Sequence, residues 1–168
     1  MIIRKATEAD LPEMLKLYEI ARQFMRENGN PTQWGDDYPK VEVLKNDMAA
    51  GRSYAVTDDA GKDLIATFCF YVGIEPVYNK IEQGKWLNDA PYGVIHRITT
   101  AGKNKGLGAE ILDWCLDQCG NVRIDTHRDN HPMQKVLEKR GYQYCGVIQW
   151  EDGTDRIAFQ KVKFSENT

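Results

Sequence analysis

Residues 96–115 of the chain, HRITTAGKNKGLGAEILDWC, hold three glycines and two lysines between a predicted strand and a predicted helix. Glycine has no Cβ, so the backbone N–H groups of such a loop can approach a ligand closely. The N-terminus of the helix that follows favours negative charge. This composition therefore predicts a site for a phosphate group, and the spacing of the glycines indicates which phosphate it is.

Two well-known phosphate loops fit the spacing poorly. A nucleoside triphosphate loop requires GxxxxGK[ST], and that pattern is absent from the sequence. A dinucleotide loop, GxGxxG, matches Gly106 and Gly108, and Asp125 ends the next strand where a ribose-binding acid belongs. Its third position is Ile111, which is too large for the close contact between helix and strand that the motif needs. An NAD-dependent oxidoreductase is therefore the weaker alternative.

The third pattern is Lys103-x-x-Gly106-x-Gly108. It resembles the pyrophosphate loop of the GNAT family of N-acetyltransferases, R/Q-x-x-G-x-G/A, with lysine where the family has arginine or glutamine. Lysine keeps the positive charge but lacks the planar fork of arginine. The predicted order of elements is also the order of this family. Residues 129–142, DNHPMQKVLEKRGY, resemble the family's second signature, a helix that begins at asparagine and ends at glycine and an aromatic residue.

The resemblance implies an α/β fold: one N-acetyltransferase domain over residues 1–168, with a mixed central sheet flanked by helices. It implies acetyl-CoA as co-substrate and an acetyl group moved directly to a primary amine of a small molecule or a peptide. In the family, the backbone N–H at the position of Ile98 lies near the thioester carbonyl. The residues implied to bind coenzyme A are Ile98, Thr99, Lys103, Asn104, Lys105, Gly106, Leu107, Gly108, Asn130 and Met133.

Two histidines are the candidate catalytic residues. An unperturbed histidine titrates at about pH 6.5, which suits a general base. His96 precedes Ile98 by two positions, so regular strand alternation puts both side chains on one face. His127 follows the next strand, at the end where parallel sheets open to ligands. We expect Arg97, between His96 and Ile98, to be a solvated surface residue.

One feature of the family is missing. Its members often protonate the leaving thiolate with a tyrosine seven residues after the signature asparagine, and here that position is Leu137. Tyr142 is the available substitute, although its place at the start of a strand is more typical of packing. The missing tyrosine supports an alternative interpretation, in which the protein is a non-catalytic module that binds acyl-CoA.

The acceptor amine is expected to lie against aromatic residues of two long loops, 28–40 and 73–91. Aromatic side chains in loops can form the walls of a pocket for a small molecule. The residues predicted to bind the acceptor are Trp34, Tyr38 and Trp86, and they can equally cover a hydrophobic core.

Composition limits the other partners. The net charge is −3, which argues against a nucleic acid. The longest apolar run, 64–72, is too short to cross a bilayer, so no membrane partner is expected. The N-terminus lacks a secretory signal, which predicts a cytoplasmic protein with reduced thiols. Cys115 and Cys119 share a helix face with apolar residues, so we predict core packing and no metal. A homodimer is the default expectation.

The elements that position these residues follow from periodicity and turn residues. A capping box is expected at Thr7 and Asp10 before the first helix. Strands are predicted at 2–5, 53–57, 64–71, 92–99, 122–126, 142–150 and 156–164, and helices at 7–29, 41–50, 107–119 and 132–141.

Overall fold

The computed structural model describes residues 1–102 and 105–163 of the 168-residue chain. The strands are β1 (Ile2–Lys5), β2 (Ser53–Thr57), β3 (Leu64–Val72), β4 (Gly93–Thr100), β5 (Asn121–Thr126), β6 (Gln143–Gln149) and β7 (Asp155–Val162). The helices are α1 (Leu11–Glu27), α2 (Val41–Ala49), α3 (Leu107–Cys119) and α4 (His131–Lys139). The predicted order of elements is confirmed, and α3 has the predicted bounds.

The described residues fold into two compact units, residues 1–70 with 96–102 and 105–108, and residues 71–95 with 109–163. Strand β4 begins in the second unit and ends in the first. The α/β fold class is confirmed, whereas one domain over residues 1–168 stays a prediction.

The first unit carries strands in the order β1-β2-β3-β4. The pairs β1–β2 and β2–β3 are antiparallel. The predicted capping box is present: Thr7 N–H donates to Asp10 Oδ2 at 2.8 Å, ahead of a short 3₁₀ turn and α1. One cluster of buried apolar side chains joins α1, α2 and β2 with the residue after β1 and the 28–40 loop, and its members are Ala6, Met14, Tyr18, Trp34, Leu44 and Ala55.

The second unit carries the order β4-β5-β7-β6. Helix α3 connects β4 to β5, and these two strands are parallel, with Gly93 opposite Val122 and Val94 opposite Arg123. The remaining pairs are antiparallel. The core beside this part of the sheet consists of Tyr78, Tyr92, Val94, Ile148 and Ala158. The chain therefore has the parallel βαβ unit flanked by antiparallel strands that the sequence predicts.

Candidate functional site

The glycine loop meets the N-terminus of α3. Gly106 is exposed and has a left-handed backbone, φ +80°, which glycine adopts without the penalty that a Cβ brings. Leu107 is buried and fixes the start of the helix. Lys103 and Asn104 lie outside the described residues, so their predicted contacts stay predictions.

Gly108 has no conformational or packing reason to be glycine. Its φ is not left-handed, it lies in the first turn of α3, and an added Cβ would meet nothing within 4 Å. The first N–H groups of a helix have no partner within the helix. Open space in front of donors at the positive end of a helix dipole fits an anion such as a pyrophosphate.

Strand β4 is irregular at Arg97, whose φ is +56°. Non-glycine residues rarely adopt this conformation, and a left-handed residue inside a strand interrupts the regular alternation of side chains between the two faces of the sheet. Regular alternation therefore does not place the side chains of His96 and Ile98 on the same face of the sheet. Thr99 is buried, and its Oγ1 donates to the Arg97 carbonyl oxygen at 3.0 Å.

The expectation that Arg97 is solvated is wrong. Its side chain is 8% exposed and forms an ion pair with Asp47 of α2, whose side chain is 18% exposed. Arg97 Nη1 also donates to the hydroxyl oxygen of Tyr38 at 3.1 Å. Burial lowers the guanidinium pKa, but the surrounding groups, Tyr38, Cys69 and Asp47 among them, outweigh it and hold the pKa above its ordinary value. Arg97 therefore stays charged.

The two aromatic residues predicted as acceptor walls in the 28–40 loop differ in their surroundings. Trp34 is 8% exposed and packs edge-on against Tyr18, with 5.7 Å between ring centroids. Core packing explains Trp34 without a ligand. Tyr38 is half-buried, and its hydroxyl meets Arg97 beside the candidate catalytic segment of β4. Tyr38 is therefore the better placed of the two for contact with an acceptor.

His127 lies in the second unit, directly after β5. Its Nδ1 accepts the backbone N–H of Asp129 at 3.0 Å, which leaves the proton of the neutral ring on Nε2. Burial lowers the pKa of His127 below its ordinary 6.5, although Asp129 acts in the opposite direction. In this tautomer the ring has no free nitrogen lone pair to accept a proton, so the geometry argues against His127 as the base, and His96 stays a prediction.

The free energy of unfolding is expected to fall as the pH is lowered below about 6.5, the ordinary pKa of histidine. His127 is neutral in both states above its ordinary pKa of 6.5, so its contribution is complete there. Below that pH the unfolded chain takes up the proton before the folded protein does. His127→Asn removes the titration and keeps an oxygen that can accept the Asp129 N–H.

Urea unfolding at a series of pH values checks this expectation. The wild type and His127→Asn are compared at each pH, and the difference between the two curves isolates the contribution of His127. An identical slope for the wild type and His127→Asn below pH about 6.5 would refute it.

Helix α4 starts as the sequence predicts. Asn130 is its N-cap, and its side-chain oxygen accepts the Met133 N–H at 3.2 Å. Leu137, at the position of the family's tyrosine, is fully buried. Tyr142 is 5% exposed, burial raises its pKa, and its hydroxyl has no hydrogen-bond partner within residues 1–102 and 105–163. Tyr142 is therefore a poor substitute as a proton donor.

The second unit contains a buried polar cluster that the sequence does not predict. Tyr78, in the 73–91 loop, is fully buried and donates its hydroxyl to Asp125 Oδ2 at 2.6 Å. The other carboxylate oxygen lies 3.7 Å from Arg156. Burial raises the pKa of Tyr78 well above its ordinary value. Trp86 donates its Nε1–H to the Tyr78 carbonyl oxygen at 2.9 Å. This contact within the protein gives Trp86 a structural role, and its predicted contact with the acceptor stays a prediction.

The described residues contain no group of three or more histidine, cysteine or acidic side chains that could hold a metal ion. All four cysteines are free, and Cys115 is fully buried, as its apolar neighbours predicted. Within the described part of the chain, no helix has both the length and the apolar character needed to cross a membrane.

Comparison with solved structures identifies the family. An acetyltransferase of the GNAT family from Streptococcus agalactiae superposes with a TM-score of 0.87 at 31% identity, covering 98% of this chain and 96% of that one. A GNAT acetyltransferase from Listeria monocytogenes gives 0.69 at 18% identity, with 96% and 94% covered. A GNAT phosphinothricin acetyltransferase from Sinorhizobium meliloti, solved with acetyl-CoA, gives 0.61 at 13% identity, with 99% and 91% covered.

The chain belongs to the GNAT family of acetyltransferases, because nearly its whole length matches the streptococcal member at that identity. The less similar structures share its fold. No family model and no curated protein matches the chain.

Proposed function

We propose that this chain transfers the acetyl group of acetyl-CoA directly to a primary amine of a small molecule or a peptide. The observation that carries the proposal is the Gly106-x-Gly108 loop at the start of α3, where a helical glycine faces open space and the chain itself gives no reason for the missing side chain. Family membership supports acetyl-CoA as the donor.

Bound acetyl-CoA supplies the acetyl group as an activated thioester. The backbone N–H groups at the start of α3 then hold negative charge, assisted by the helix dipole. The N–H of Ile98 donates to the carbonyl oxygen as charge develops there. His96 takes a proton from the acceptor ammonium, and the free amine attacks the thioester carbonyl carbon. The C–S bond then breaks, and the leaving thiolate takes up the proton that the newly acylated nitrogen loses. Tyr38 lines the acceptor side. Asn130 and Met133 stay predicted contacts of the coenzyme.

A second candidate, the non-catalytic acyl-CoA-binding module, has support from two side chains. Leu137 is fully buried in place of the usual proton donor, and Nδ1 of His127 is occupied by a backbone N–H. This alternative predicts coenzyme binding without turnover. The cytoplasmic location and the homodimer stay predictions.

The first experiment is thermal unfolding with coenzyme A, acetyl-CoA and NAD in parallel. A ligand at 100 times its dissociation constant adds about 2.7 kcal/mol to the free energy of unfolding. We expect the two coenzyme A species to raise the midpoint and NAD to leave it unchanged. A shift with NAD alone would refute the proposal and support the oxidoreductase reading.

The second experiment follows the release of free thiol from acetyl-CoA with a panel of small amines, amino acids and N-terminal peptides. Release that depends on one amine class supports the transferase. Binding of acetyl-CoA without release for any amine supports the binding module instead.

His96→Ala is expected to lower turnover by about 100-fold between about pH 6 and about pH 9, because it removes the proposed general base. Steady-state rates with saturating acetyl-CoA measure the effect. His131→Ala, which changes an exposed histidine in the first turn of α4, is the control. If His96→Ala turns over at the wild-type rate over this pH range, His96 is not the base.

A further inference from the structure

Arg97 occupies a conformation that its own chemistry disfavours. Its φ of +56° lies in the left-handed region, in the middle of β4, at a position where glycine would fit without strain. Such conformations persist where the surrounding structure holds them, and they concentrate at functional sites. The contacts of the Arg97 side chain show what holds it.

The guanidinium is held by two other segments of the first unit. Asp47 reaches it from α2, and the hydroxyl of Tyr38 reaches it from the 28–40 loop at 3.1 Å. Buried ion pairs contribute little net stability, so this one is better explained by the conformation it specifies. The planar fork of arginine can bridge two partners in a fixed geometry, which a lysine ammonium cannot do.

Tyr38 is held at both ends. Its hydroxyl meets Arg97, and its backbone carbonyl accepts from Nη1 of Arg22, a buried residue of α1, at 3.0 Å. Arg22 is itself paired with Glu19 at 2.8 Å. The loop that carries Tyr38 is thus connected through two arginines to α1 and to β4.

We propose that Arg97, through Asp47 and Tyr38, is a positioning residue that sets the direction of the Ile98 N–H and of the His96 side chain, and that couples the 28–40 loop to β4. His96 and Ile98 flank residue 97, so its backbone angles fix the relation between them. This inference rests on the proposed function, since it assigns roles to both neighbours in acetyl transfer.

The test compares the acetylation rates of two variants, Arg97→Lys and Tyr38→Phe, with that of a control variant, Tyr54→Phe. Arg97→Lys keeps the charge and loses the fork, whereas Tyr38→Phe keeps the ion pair and loses one partner. Tyr54 is the matched control, because its hydroxyl accepts from Lys5 at 2.9 Å in the same unit, between β1 and β2. The assay uses the amine of the panel that gives the fastest thiol release.

We expect kcat to fall about 100-fold in Arg97→Lys and about 10-fold in Tyr38→Phe, since small misplacements of reacting groups have effects of this size. The KM for acetyl-CoA should change less than kcat in both, because the variants leave the glycine loop, the proposed pyrophosphate site, untouched. Tyr54→Phe should match the wild type. A kcat within about twofold of the wild type in Arg97→Lys would overturn the proposal.

Amide hydrogen exchange gives a readout that does not depend on activity. We expect both variants to accelerate exchange at Ile98 and across residues 30–40 together, with neither region changed in Tyr54→Phe. Faster exchange in the loop alone would overturn the coupling to β4. If the wild type acetylates no amine, the proposed function fails, and the exchange measurement still decides whether Arg97 couples the two segments.

Discussion

Asp47→Ala is expected to lower the free energy of unfolding by about 3–5 kcal/mol, because it leaves the buried charge of Arg97 without its anionic partner. The Arg97 side chain is 8% exposed, so water compensates little of the loss. Its pKa lies above the ordinary value, so the guanidinium does not shed its proton to escape burial. Urea unfolding at neutral pH, followed by circular dichroism, measures the change.

Two controls separate this ion pair from a general effect of removing a carboxylate. Asp117→Ala breaks the ion pair between Asp117 and Lys163. The side chain of Asp117 is 59% exposed and that of Lys163 is 54% exposed, so the free energy of unfolding should fall by only about 0–1 kcal/mol. The double replacement Asp47→Leu with Arg97→Met should recover most of the stability, because apolar residues of similar volume can replace a buried pair at little cost. Equal losses in Asp47→Ala and Asp117→Ala would contradict the expected burial effect.

The elements were predictable because their signals are local. Helix α3 has apolar residues at helical spacing between Gly106 and Gly120, and its bounds in the structure are those predicted. Asn130 caps α4 through an oxygen that reaches only three residues ahead. The glycine loop is equally local, since its residues are contiguous and need no distant partner to be recognised.

The environment of Arg97 was not predictable, because it depends on residues far away in sequence. Asp47 lies 50 residues before it and Tyr38 lies 59 before it. Nothing in the residue type signals a left-handed backbone, which glycine or asparagine at this position would have suggested. The net charge of a sequence also says nothing about whether a particular arginine is buried.

Aromatic residues in the long loops were misleading for a related reason. Tyr78 falls in a stretch without helical or strand periodicity, so nothing in the sequence around it predicts burial. In the structure it is fully buried, and its hydroxyl is satisfied by Asp125, 47 residues further along the chain. Loop residues can therefore belong to the core when a distant partner satisfies their polar atoms.

Gly106→Val is expected to weaken coenzyme A binding by about 100-fold or more, through loss of two or more charge-assisted hydrogen bonds of about 1.5–3 kcal/mol each. Valine at φ +80° is a steric outlier, so the loop must change its backbone and its N–H groups no longer converge. The protein should still fold, because Gly106 is exposed and an added Cβ would meet nothing within 4 Å. Isothermal titration with coenzyme A measures the affinity.

Gly120 provides a matched control at the other end of α3. It has φ +76° and equally open surroundings, so Gly120→Val introduces the same backbone strain away from the N-terminus of the helix. We expect similar losses of stability in the two variants and a loss of affinity only in Gly106→Val. Equal affinities for coenzyme A in both would show that the loop at 105–108 is not the pyrophosphate site.

Gly108→Ala is expected to bind coenzyme A more weakly than the wild type, although the free protein should be no less stable. Alanine is preferred over glycine in a helix by up to about 1 kcal/mol, and here its methyl group meets no protein atom within 4 Å, so the free protein should be at least as stable as the wild type. The same methyl group would stand in the open space beside Gly108 in the first turn of α3, where we propose that the pyrophosphate binds. A variant that is no less stable and binds coenzyme A more weakly shows that a ligand, rather than the fold, requires glycine at this position.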